Sequence, residues 1–185
     1  MTLDDIAKEI KGCARCELHR YRQKAVPGEG PEDARIMFVG EAPGREEDNL
    51  GRPFVGRSGG ILNEILVRTG LARADIFITS VVKCRPPDNR VPQKKEYETC
   101  IDAYLWRQIE VVNPTIICLL GGVATHSILG VNGLSDARGK IFRRGSFRLL
   151  PTYHPAAAGR NRSWHRGLLE DMARLHALVQ SELNI

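Results

Sequence analysis

Four of the five cysteines, Cys13, Cys16, Cys84 and Cys100, are spaced like one metal-binding cluster gathered from separate parts of the chain. Cys13-Ala14-Arg15-Cys16 is a C-x-x-C, whereas Cys84 and Cys100 stand singly and flank a basic, proline-rich stretch running from Lys83 to Arg90. A shared metal would tie that stretch to the N-terminus. Cys118, inside the apolar run Thr115 to Leu120, reads instead as a small buried side chain. Two other groups could do acid–base work. Glu41 sits in Gly40-Glu41-Ala42-Pro43-Gly44, where residues that force a tight turn would hold a carboxylate beside backbone N–H groups, and His154 precedes Pro155. Taken alone, the first also reads as a solvated acid in a turn and the second as a structural imidazole.

Positioning these groups requires strands that end together. Candidate strands are Arg35 to Val39, Ile76 to Thr79, Thr115 to Leu120 and Phe147 to Leu150, each a short apolar run bounded by turn residues. Helical spacing alternates with them: Leu3, Ile6, Ala7 and Ile10 ahead of the C-x-x-C; Ile61, Leu62, Ile65 and Leu66; Tyr97, Ile101, Tyr104 and Leu105; Val123 to Leu129; and a last helix with Leu168, Leu169, Met172, Leu175 and Val179 inward. The alternation predicts a three-layer α/β/α fold with a central, mainly parallel, four-stranded sheet. In such sheets ligands collect beyond the carboxyl ends of the strands. The loops that follow Val39, Thr79 and Leu150 carry Glu41, Ser80 with Cys84, and His154, so they could share one pocket.

The 185 residues fit a single domain spanning 1–185. A formal charge of +5 favours a polyanionic partner. The N-terminus lacks a secretion signal and no apolar run could span a bilayer, so a cytoplasmic protein without membrane association is expected. In that reducing compartment clustered cysteines read as ligands or redox groups before disulfides.

Gly40-Glu41-Ala42-Pro43-Gly44 with Glu47-Asp48, then Gly51 to Gly56, Val82 to Pro87, and His154-Pro155-Ala156-Ala157, together with the four cysteines, resemble the family 4 uracil-DNA glycosylases. The resemblance runs from the C-x-x-C to the His-Pro segment. It implies a [4Fe-4S] cluster on Cys13, Cys16, Cys84 and Cys100, with zinc as the alternative metal. It further implies removal of uracil from DNA by hydrolysis of the N-glycosidic bond; a monomer is expected, and because no lysine is expected to form a Schiff base the backbone should stay uncut. Hydrolysis needs no electron, so the cluster's expected role is architectural. A sliding clamp or other protein partner is not indicated by any motif.

Chemistry on a paired base requires the nucleotide to be flipped into a pocket that stacks on it and reads its edge. Phe54, in a glycine-bounded loop, is the expected stacking face. His154 is the expected donor to uracil O2, stabilising the leaving anion, and Glu41 is expected to stabilise the sugar cation or orient the attacking water. Ala42 has no acid–base capacity. Arg85 and Arg90 beside the later cysteines, and Arg160 and Arg162 after the His-Pro motif, are expected to contact phosphates. The chain departs from the family at two positions. Ser80 stands where the family usually carries asparagine, so weaker uracil discrimination or activity on another deaminated base, hypoxanthine or xanthine, is the alternative. Gly159 replaces a larger apolar residue that could wedge into the gap left by the flipped base, with Arg160 or Trp164 as substitutes. A non-catalytic iron–sulfur DNA-binding module is the remaining reading.

Overall fold

Short runs rich in isoleucine, valine and phenylalanine form the centre of the molecule. In the computed structural model, which describes residues 1–183, Ile36–Gly40 (β1), Ile76–Ser80 (β2), Ile116–Leu120 (β3) and Phe147–Thr152 (β5) make parallel pairs in the order β2, β1, β3, β5. Residues of β1, β2 and β3 are buried along their whole lengths, as strands covered on both faces must be. A fifth strand, Phe142–Arg144 (β4), pairs antiparallel with β5 at the edge, so the sheet has five strands and not the expected four. Its three residues carry two exposed arginines and no buried alternation, which explains why strand patterning misses it. Gly145, with φ of 59°, turns the hairpin.

Alternate residues of each strand feed two cores. Phe38, Ile78, Cys118 and Leu150 pack with Leu62, Ile65 and Leu66 of Arg57–Arg68 (α3) and with Leu168, Met172 and Leu175 of the long C-terminal helix Arg162–Leu183. Met37, Phe77, Ile117 and Leu149 pack on the other face against Ile101, Leu105 and Ile109, and against Ala124 and Ile128. Ile101–Leu105 is a π-helical turn between two α-helices, Lys94–Cys100 and Trp106–Val112. The N-terminal helix Leu3–Lys11 (α1) starts on a Thr2–Asp5 capping box. Bidentate contact between Arg107 and Glu9, at 2.7 Å for each bond, fixes α1 to the Trp106–Val112 helix, while Ile6 and Ile10 join Leu18, Val82, Cys84, Cys100 and Tyr104 in a third, smaller core. No helix among the described residues is long and apolar enough to cross a membrane.

Candidate active site

Parallel register brings the chemistry to one edge. Gly40 at the end of β1 pairs with Ser80 at the end of β2, so the residues that follow leave the sheet side by side. At the end of β5, Thr152 accepts from the Gly121 N–H at 2.8 Å, and His154 emerges two residues later. Glu41, Ala42, Phe54, Ser80 and His154 all line one cleft of about 560 Å³, together with Val26, Asn89, Arg90 and Arg160.

Phe54 holds a left-handed backbone, φ 48°, which costs a side-chain-bearing residue on the order of 1–2 kcal/mol. Its neighbours enforce that conformation. Arg73 donates to the Phe54 carbonyl at 3.0 Å and to the Pro53 carbonyl at 2.7 Å, and is itself paired with Glu29 at 3.0 Å. The buried Glu47 carboxylate accepts from the Val55 and Gly56 N–H groups at 2.9 and 2.8 Å and from the Gly44 N–H at 3.1 Å, clamping the loop to the start of the short helix Arg45–Leu50. A Cβ built at Gly40 would lie 2.8 Å from the Phe54 ring and 3.3 Å from Ser80 Oγ, so ring and hydroxyl meet over a deliberately bare strand end. A Cβ at Gly59 would lie 1.9 Å from the Phe54 carbonyl oxygen. Gly59→Ala is therefore expected to cost about 2 kcal/mol through overpacking, read as a Tm lowered by roughly 5 °C, with a raised KM for base release; an unchanged Tm would show that the loop adapts without loss.

His154 caps the short helix Pro155–Ala158, its Nδ1 accepting the Ala156 N–H at 3.1 Å. An acceptor at Nδ1 places the proton of the neutral ring on Nε2. Burial, with a smaller contribution from the Arg160 charge, pushes the His154 pKa down to about 4, although the residue is only partly buried and lines the cleft. The imidazole is therefore a neutral Nε2–H donor across the physiological range. Its ring lies 5.7 Å from that of Phe54, tilted by 32°. Gly121, with φ of 96°, makes room behind it, since a Cβ there would come within 2.9 Å of His154 Cβ. Burial raises the Glu41 carboxyl above its usual range.

The expected phosphate contacts separate on inspection. Arg160 lines the cleft and a neighbouring groove of about 430 Å³, which Arg85 also lines; Arg45 and Arg57, not singled out by sequence motifs, complete that cationic groove. Arg85 is steered by Asn89, which accepts from its Nε at 2.7 Å. Arg90 reaches the cleft, but its guanidinium forms a bidentate pair with Glu96 at 2.9 and 2.8 Å. Arg162 lies in a different depression with Arg68, His165 and Arg166 and is not brought to the cleft. Trp164 stacks on Tyr153 at 5.4 Å, and a Cβ at Gly159 would come 2.3 Å from Ile61 Cδ1, so position 159 has no space for a wedge. Lys83 lies inside one of the matched motifs yet is sealed in the interior, out of reach of a sugar in the cleft.

A second cavity is lined by Cys13, Cys16, Cys84 and Cys100 with Arg22, Lys83 and Tyr104. Arg22 donates to Cys84 Sγ at 3.0 Å and the Arg15 N–H to Cys13 Sγ at 3.5 Å. Burial pushes the Cys100 thiol up to about 12 and raises Cys84 and Cys16, so filling this site with metal would release protons. Among the described residues no three His, Cys, Asp or Glu side chains close on a single ion. Four soft thiol donors around one enclosed space have the chemistry to hold a metal centre, iron–sulfur or zinc.

Comparison with known proteins finds that the family described as the uracil DNA glycosylase superfamily matches residues 27–174. The chain is 47% identical over 165 residues to the type-4 uracil-DNA glycosylase of Archaeoglobus fulgidus, covering 84% of this chain and 82% of that one. It is 43% identical over 182 residues to the type-4 enzyme of Pyrobaculum aerophilum (94% and 92% covered) and 42% identical over 185 residues to that of Thermotoga maritima (97% and 96% covered).

Proposed function

The chain belongs to the uracil-DNA glycosylase superfamily, and from that premise we propose that it hydrolyses the N-glycosidic bond of uracil in DNA, with the base flipped into the cleft that Glu41, Phe54, Ser80 and His154 line. The observation that carries this reading is the neutral imidazole, its Nδ1 held by the Ala156 N–H, lining the same cleft as the Phe54 ring and the Glu41 carboxylate. Uracil stacks on Phe54. As the N1–C1′ bond breaks heterolytically, the bonding pair leaves with the base, and the His154 Nε2–H donates to O2 as negative charge gathers there. Positive charge on the sugar is met by the Glu41 carboxylate, which also orients the water that adds to C1′, and the proton that this water gives up ends on the departed uracil anion. Ala42 keeps the turn compact without offering a second acid. With Lys83 buried and no lysine among the described residues that line the cleft, no lysine Schiff base forms and the backbone stays intact.

Arg85 and Arg160, joined by Arg45 and Arg57, grip the phosphates of the strand that carries the flipped nucleotide. Arg90 acts indirectly, by bracing the loop against Glu96, and Arg162 contacts a more distant phosphate. Cys13, Cys16, Cys84 and Cys100 hold a [4Fe-4S] cluster, which supplies a crosslink between the N-terminal segment and the loop that carries Asn89 and Arg90. The enzyme works as a monomer in the cytoplasm. Release of free uracil from a uracil-containing oligonucleotide, detected as an alkali-labile abasic site, tests the proposal; DNA binding with no release from any deaminated base would leave only a binding module.

Ser80 favours a second reading of the specificity. An asparagine amide could accept from uracil N3–H and donate to O4 at once, whereas one hydroxyl has a single proton to give. Ser80 is 7% exposed beside Phe54, so its hydroxyl is placed to contact the base but cannot span both edge groups. Ser80→Asn is expected to raise the preference for uracil over hypoxanthine by roughly tenfold or more, matching a gained hydrogen bond of about 1.5 kcal/mol. Equal preference in the two proteins, measured as kcat/KM on matched oligonucleotides, would remove this role from position 80.

A further inference from the structure

Lys83 is 1% exposed, and its ammonium donates to Thr79 Oγ1 at 2.6 Å, to the Ser80 carbonyl oxygen at 2.7 Å and to Gln108 Oε1 at 2.7 Å. These three bonds use all its donors, and all three acceptors are uncharged. Among the described residues no carboxylate pairs with it, and Cys100 and Cys84 are the groups whose ionised forms would interact with it. A buried ammonium without a counter-ion is strongly unfavourable, and an apolar side chain of similar volume would avoid that penalty. The fold nevertheless retains a lysine here. An anion must therefore belong beside it.

The four-cysteine cavity is that place. Lys83 lines it, and its charge and its backbone amide both favour the ionised form of Cys100. Four thiolates around an iron–sulfur core carry net negative charge, so a single buried cation at their edge offsets part of it. The same ammonium reaches the other way. Ser80 lines the base cleft, and Thr79 Oγ1 and Gln108 Nε2 both donate to the Pro27 carbonyl at 2.9 and 2.8 Å, next to Val26, which also lines that cleft.

We propose that Lys83 is the buried counter-cation of the four-cysteine centre and, through Ser80 and Pro27, the positioning residue that fixes the base-facing end of β2 to that centre. The proposal rests on the reading that the cysteines hold an iron–sulfur cluster. Removing the charge weakens the cluster's hold and disfavours its reduction, because the added electron loses a neighbouring cation. It also loosens Ser80, which affects base binding before it affects bond cleavage.

The test compares wild type, Lys83→Met and Gln108→Leu, each prepared without oxygen. Iron and sulfide per chain, the rate at which a chelator bleaches the cluster, its reduction potential, and KM and kcat for uracil release are measured. Lys83→Met is expected to bleach roughly tenfold faster than wild type, with a more negative potential and a raised KM. Gln108→Leu removes one neutral acceptor and keeps the charge, so its potential should stay at the wild-type value. Lys83→Gln, also neutral, replaces Lys83→Met if the methionine protein does not fold. Wild-type bleaching and potential in the neutral variant would overturn the proposal, as would an equal shift in Gln108→Leu, which would assign the effect to packing. Wild-type protein lacking iron and sulfide would overturn the cluster reading, and the proposal with it.

Discussion

His154→Ala is expected to lower kcat for uracil release by at least about a hundredfold while leaving DNA affinity nearly unchanged. The loss falls on kcat because the Nε2–H bond strengthens as charge moves onto O2 and is weak while the base is still bound to the sugar. The geometry gives the imidazole no proton to transfer at neutral pH: its Nδ1 is occupied by the Ala156 N–H and its pKa is pushed down to about 4. The donor is therefore the same neutral species from about pH 5 upward, and no step in the rate should appear near 6.5, where a free histidine titrates. Loss of activity in acid should instead follow Glu41. Burial raises its carboxyl above the ordinary carboxylate range, so the ionised form that meets the sugar cation is lost at a higher pH than for a solvated acid. Glu41→Gln should remove that acid limb together with most of the rate. A pH–rate profile with a step near 6.5 that vanishes in His154→Ala would show that the imidazolium is the working form, contrary to this geometry.

Cys100→Ser is expected to empty the four-cysteine centre and lower the Tm by roughly 10 °C, equivalent to a few kcal/mol in a chain of this size. Serine fits the space, but its hard hydroxyl is a poor substitute for a soft thiolate ligand. Cys100 stands where the Lys94–Cys100 helix passes into the π-helical turn, and Cys84 opens the loop that delivers Asn89 and Arg90 to the cleft. Without the crosslink, α1 and that loop are joined mainly by the small core around Ile6, Ile10 and Tyr104. KM for oligonucleotide should rise as the loop loosens, with a smaller change in kcat, since His154 and Glu41 are carried by other strand ends. Iron and sulfide analysis with thermal unfolding followed by circular dichroism decides the matter. A serine variant that retains full iron and the wild-type Tm would mean that Cys100 is not a ligand.

Much of this was legible before any coordinates. The order of strands and helices follows from short apolar runs alternating with 3.6-residue periodicity, because a strand buried on both faces and a helix buried on one have different sequence periods. The grouping of Glu41, Ser80 and His154 follows from parallel strands whose carboxyl ends face one way. Those are local patterns and a topological rule, and one chain of letters carries both. Tertiary structure decided what depends on three-dimensional partners. The left-handed Phe54 is set by Arg73, Glu47 and Gly59, none of them its immediate neighbour in the chain. The tautomer of His154 is set by one backbone N–H. Arg90 reads as a phosphate contact in sequence but is bound to Glu96, and Lys83 reads only as the start of a basic stretch but is buried between two sites, because charge is visible in a residue's name while its counter-ion and its solvent exposure exist only in the folded chain.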